Sequence, residues 1–205
     1  MIALGDSHVK MYEPFAASTL LIPGATAYGL SSDQSRTGAR ESASDFLIEA
    51  VDQLQLFCFG EVDCNSLVWL KGMKITPFIN QATDNYISFI RIFSDKPIIS
   101  SVTLPPIQSY QQPPYSTRLK HPRKFVSANK RTRTNVVNLF NLKMKSLCSQ
   151  SNFYFLDLTP DTVGPDGLLD MNFASRPGDP HLNPLKLAPI IERKLIEAKA
   201  FYNHQ

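Results

Sequence analysis

Acidic residues are missing from a long middle stretch of this chain: between Asp95 and Asp157 there is neither aspartate nor glutamate. Tryptophan occurs once and cysteine three times in 205 residues. Cys58, Cys64 and Cys148 are odd in number and contain no Cys-x-x-Cys pair, which argues against a disulfide framework and for reduced thiols. No group of cysteines and histidines has zinc-ligand spacing, so neither a metal nor another cofactor is expected. Apolar runs such as residues 15–22 and 97–104 are far too short to span a membrane. No basic segment followed by an apolar stretch and a small-residue cleavage site opens the chain, so the expected location is cytoplasmic.

Hydrophobic residues make up 43% and charged residues 19%, a globular composition, and the length suits a single domain over residues 1–205. The net charge of +3 is unevenly spread. Within the acid-free stretch, Arg118, Lys120, Arg123, Lys124, Lys130, Arg131 and Arg133 crowd together. Such a patch could meet nucleic acid, an acidic glycan or a phospholipid headgroup. The simpler expectation is a solvated loop running into a helix face, and nucleic acid is not the expected partner.

Short β-like runs alternate with helix-like runs, which predicts a parallel α/β sheet. The predicted strands are Met1–Leu4, Thr19–Ile22, Leu54–Phe59, Ile98–Leu104 and Asn152–Leu158. The predicted helices are Val9–Ala17, Glu41–Gln53, Thr83–Phe93, Asn129–Leu147 and Leu185–Tyr202. Residues 105–127 break the rhythm with Pro105, Pro106, Pro113, Pro114 and Pro122, and with Tyr110 and Tyr115 between them. A proline-rich insertion of this length is expected to be a binding loop or lid at the mouth of a site.

Three motifs carry chemistry. Gly5-Asp6-Ser7-His8 follows a strand and opens a helix, which puts a hydroxyl at the carboxyl edge of the sheet, beside free N–H groups. Phe59-Gly60-Glu61-Val62-Asp63-Cys64 ends a buried strand in two carboxylates that packing does not require. Gly178-Asp179-Pro180-His181 stands just before the last helix, and a constrained Asp–His pair is what a serine nucleophile needs as its base. Taken singly, each has a plain alternative: an N-cap serine, helix-capping acids, and a loop histidine beside a capping aspartate.

The order of these motifs resembles the SGNH (GDSL-like) hydrolase superfamily across nearly the whole chain. Gly5–His8, Ala27-Tyr28-Gly29-Leu30 and Phe59–Cys64 are similar to a branch often associated with carbohydrate metabolism. The resemblance implies a three-layer αβα sandwich on a five-stranded parallel sheet of flavodoxin-like kind. It implies Ser7 as nucleophile, His181 as base and Asp179 as its orienting acid. The implied oxyanion hole uses the amides of Ser7 and Gly24, with Gly29 as the fallback for Gly24. Asp6, His8, Gly60, Glu61 and Asp63 would shape the site. Tyr110, Tyr115, Arg118, Lys120 and Arg123 would meet the substrate or form the lid.

Two positions depart from the family pattern. The oxyanion asparagine falls at Val62, which has no donor, leaving Asn65 as the substitute. The acid that the family places three residues before the histidine falls at Gly178, and Asp179 stands only two before. The implied activity is ester hydrolysis by a serine enzyme, with a small acyl group on a carbohydrate as the substrate. The alternatives are acyl transfer to a sugar, or a non-catalytic module that binds an anionic glycan or another anion.

Overall fold

The computed structural model describes residues 1–50, 52–70, 72–107 and 128–204. Five strands form one sheet: β1 (Ile2–Gly5), β2 (Ser18–Leu21), β3 (Gln55–Cys58), β4 (Pro97–Ser100) and β5 (Tyr154–Leu156). Their order is β2-β1-β3-β4-β5, and every neighbouring pair is parallel. The helices are α1 (Ala39–Ile48), α2 (Val68–Leu70), α3 (Ile75–Phe93), α4 (Lys130–Ser151), α5 (Thr159–Thr162) and α6 (Pro184–Asn203). The segment Ser7–Phe15 is a 3₁₀-helix, and Asp63–Leu67 is a π-helical turn that runs into α2. The expected α/β class and all-parallel sheet are therefore present.

Burial explains the sheet. β1, β3 and β4 are buried at every residue, which is how central strands covered on both faces read in sequence. α3 packs on α4 and α1, while α6 packs on the Ser7–Phe15 helix and β5. Register decides which loops become neighbours. Gly5 pairs with both Leu21 and Cys58, so β1 and β3 end level with each other. Asp6-Ser7 and Phe59-Gly60-Glu61 thus leave the sheet side by side. Gly5 has to be glycine, because a Cβ there would lie 2.1 Å from the Cys58 carbonyl oxygen.

Several boundaries differ from the sequence expectation. α3 starts eight residues before the expected Thr83, with Pro77 in its first turn, where a missing N–H costs nothing. β4 stops at Ser100 rather than Leu104. Beyond it, Val102 gives its N–H to Asn141 Oδ1 and takes Asn141 Nδ2–H on its carbonyl, both at 2.8 Å. That side-chain clasp replaces strand pairing. The basic crowd is only partly solvated: Lys130 and Arg133 are buried. Arg133 reaches the carbonyls of Ala128 and Ile107, joining the two described flanks of the proline-rich segment. Lys130 Nζ donates to the Leu169 carbonyl. Residues 108–127, with Tyr110, Tyr115, Arg118, Lys120 and Arg123, lie outside the described residues. Among the described residues, no helix is long and apolar enough to cross a membrane.

Candidate active site

Ser7 is the first residue of its 3₁₀-helix, directly after the Asp6 N-cap and the end of β1. His181 arrives from the far end of the chain, on the loop that precedes α6. The bridge between Ala174 and Leu182 and the bond from Ser175 N–H to the His181 carbonyl close this loop into a narrow hairpin. Asn183 then caps α6 through Leu185 N–H at 3.0 Å, with Pro184 at the first helical position.

The two ends meet. Ser7 Oγ lies 2.9 Å from His181 Nε2, and His181 Nδ1 lies 2.7 Å from Asp179 Oδ1. A carboxylate only accepts, so Nδ1 carries the hydrogen and Nε2 is left to accept the Ser7 hydroxyl proton. The irregular spacing of Asp179 has a local cause. Gly178 takes a φ of +81°, and Asp179 Oδ1 also accepts the His181 backbone N–H at 2.9 Å. This tight turn folds the carboxylate back onto the His181 ring, so two residues of separation suffice. Partial burial alone would raise the Asp179 pKa. The His181 N–H, the imidazole and Arg176, whose Nε is 3.4 Å from Oδ2, outweigh it and hold the acid below its usual range.

A second polar cluster lies beneath the first. His8 Nε2 is 3.3 Å from the Pro180 carbonyl, and the His8 and His181 rings are 4.9 Å apart between centroids. Asp6 Oδ1 accepts the His8 N–H at 2.9 Å. Asn65 Nδ2 donates to Glu61 Oε1, four residues earlier, at 3.2 Å. The donor suggested for an oxyanion is therefore engaged by a carboxylate, and Asn65 Oδ1 is buried with no partner among the described residues. The Asp6 and Glu61 carboxyl groups and the His8 imidazole thus crowd together, with atoms of all three within 4.8 Å of one another. A cavity of about 10 Å³ borders Asp6, His8, Glu61, Cys58 and Ser101, and is large enough for about one water.

Gly24 sits in an exposed turn closed by Ala25 N–H on the Ile22 carbonyl at 3.1 Å, with φ +75°. Its N–H has no acceptor among the described residues. The fallback, Gly29, has its N–H on Thr26, at 2.9 Å to Oγ1 and 3.1 Å to the carbonyl, and is not free for an oxyanion. The three cysteines are buried and unpaired, and burial pushes each thiol up, Cys148 to about 12.

Asp63 is fully buried and accepts Ala27 N–H at 2.7 Å and Tyr28 N–H at 3.0 Å. It therefore holds the Ala27–Leu30 segment rather than the Ser7 turn. Burial pushes its carboxyl up to about 7, against the two N–H bonds that favour the ionised form, and the Asp6 charge adds to the rise. The native pKa is the higher one, so the stability Asp63 contributes is fully present below about pH 4 and is lost as pH rises through about 7. Asp63→Asn turns an NH₂ toward a backbone N–H and is expected to cost about 1–3 kcal/mol. Urea melts at pH 4, 5.5 and 7.5 should show the wild-type slope in that window and a flatter one in the variant. A variant with the wild-type slope would show that another group is responsible.

Neither a model of any known protein family nor any curated protein sequence matches the chain. Solved structures do. A GDSL-like lipase from Bacteroides thetaiotaomicron superposes with a TM-score of 0.58 at 12% identity, covering 100% of this chain and 88% of its own. The OSK domain of Drosophila Oskar gives 0.56 at 13% identity, over 94% and 86%. An acetyl xylan esterase gives 0.55 at 13% identity, over 97% and 99%. The fold is that of the SGNH (GDSL-like) hydrolases.

Proposed function

We propose that this protein is a serine ester hydrolase of SGNH type. The observation that carries the reading is the unbroken relay from Ser7 Oγ through His181 to Asp179, with links of 2.9 and 2.7 Å. In this reading Ser7 Oγ attacks an ester carbonyl while His181 Nε2 takes its proton. The oxyanion is held by backbone N–H groups, with Ser7 and Gly24 as the donors. The alkoxide leaves with the proton from His181, and water then releases the acyl group by the same route in reverse. Asp179 keeps the imidazole in the tautomer that can accept. The finer substrate is a small acyl group on a carbohydrate hydroxyl. The similarity to an acetyl xylan esterase supports it at the level of fold.

A second reading is a non-catalytic SGNH-like module for an anionic ligand. Val62 at the family's asparagine position, and the engagement of Asn65 by Glu61, favour it by thinning the oxyanion hole. A fluorophosphonate separates the two. The hydrolase reading expects one adduct per chain, located by mass spectrometry on Ser7 and abolished by prior heat unfolding. No adduct at Ser7 under conditions that label a control serine esterase would favour the binding module.

A further inference from the structure

The relay leaves His8 without a part, yet His8 is the better buried of the two histidines: its side chain is 5% exposed, against 39% for His181. Its two nitrogens face opposite demands. Nε2 sits on the Pro180 carbonyl, which can only accept, so Nε2 carries a hydrogen. Nδ1 faces Asp6 Oδ1 at 3.4 Å and Glu61 Oε2 at 4.0 Å. A neutral ring with its hydrogen on Nε2 would turn a lone pair toward two carboxylates in a buried place. A proton on Nδ1 converts that repulsion into attraction.

The charged and titratable groups around His8 come from three directions. Asp6 belongs to its own turn, Glu61 and Cys58 to the end of β3, and His181 to the loop before α6. Pro180 is the residue between Asp179 and His181. Whatever holds its carbonyl also sets the height and tilt of both catalytic side chains over Ser7.

We propose that His8 is a positioning residue: a buried imidazolium, held by Asp6 and Glu61, that pins the Pro180 carbonyl and so docks the Asp179–His181 loop against Ser7. The inference rests on the hydrolase reading of that loop. It gives the fourth residue of the opening motif a purpose that the nucleophile alone does not explain. Burial by itself would lower the imidazole pKa. The nearby Glu61 and Asp6 charges and the Pro180 carbonyl outweigh burial and raise it to about 9.

The test compares His8→Ala with His8→Gln, because a glutamine amide can place an N–H near the position of Nε2 and an alanine cannot. With nitrophenyl acetate, His8→Ala should lower kcat by about 10–100-fold while KM moves by less than about threefold, the pattern of a lost supporting bond. His8→Gln should recover most of that loss. Equal, large losses in both variants would mean that His8 merely fills space, and wild-type kcat in His8→Ala would overturn the proposal outright.

A second measurement does not depend on turnover. With the native pKa raised, the ion pair's stabilisation is fully present below about pH 6.5 and is lost as pH rises through about 9. The wild-type unfolding constant should rise by about two orders of magnitude across that window, and that rise should be absent in both variants. The same slope in all three proteins would overturn the charged state. A His8-dependent slope in a wild type that hydrolyses no ester would fail the hydrolase reading alone, and would leave the imidazolium as the clasp of a binding loop.

Discussion

Ser7→Ala is expected to lower kcat for nitrophenyl acetate by about 10⁴–10⁶, and His181→Ala by about as much. The size follows from the geometry. The Ser7 hydroxyl and the imidazole are joined by a 2.9 Å bond, so removing either member disables the same proton transfer. The double variant should therefore be no worse than either single one, because groups that act as a unit are not additive. Any activity left would come from the backbone donors and from binding. Initial rates over at least a thousandfold range of enzyme concentration are needed to see it. If Ser7→Ala retains more than a tenth of wild-type turnover, Ser7 is not the nucleophile.

Gly60→Ala should unfold the protein more readily than any surface change. Gly60 adopts φ +115°, a conformation that side chains resist. A Cβ there would fall 2.6 Å from Phe140 Cζ and 2.8 Å from Val102 Cγ2, both in fully packed core residues. Backbone strain and overpacking each cost about 1–3 kcal/mol, and together about 4 kcal/mol is expected. For a domain of this size that lowers Tm by about 10 °C, readable by circular dichroism. Glu61, beside His8, lies directly after it in sequence, so the surviving folded fraction should also turn over more slowly. A Tm within about 2 °C of wild type would mean that the Phe140 ring yields freely, contrary to its close packing.

Much of the fold was legible because period and punctuation agree. The buried runs at β3 and β4 are continuous, as strands covered on both faces must be. Gly5 and Gly60 mark where chains leave the sheet. The register that sets Gly5 beside Cys58 was not legible. Neither was the early start of α3, where residues 75–82 add about two turns ahead of the expected periodic stretch. The charge-rich start of α4 misled in another way. Lys130 and Arg133 are charged by type but have carbonyls to donate to, so they are buried.

Read along the chain, the chemistry on offer and its order are already explicit: a hydroxyl after the first strand, acids after the third, and an Asp–His pair before the last helix. Each is a local feature, written in neighbouring residues. Whether Asp179 could serve from two positions away was decided by the turn at Gly178 and by the N–H of His181, which are matters of backbone angle. The partners of Asp63 and His8 were decided only in three dimensions. Ala27, Tyr28 and Pro180 offer nothing but backbone groups to Asp63 and His8, and backbone groups carry no signature in a sequence. Their directions exist only once β1 and β3 lie in register and α6 brings the final loop across the sheet edge.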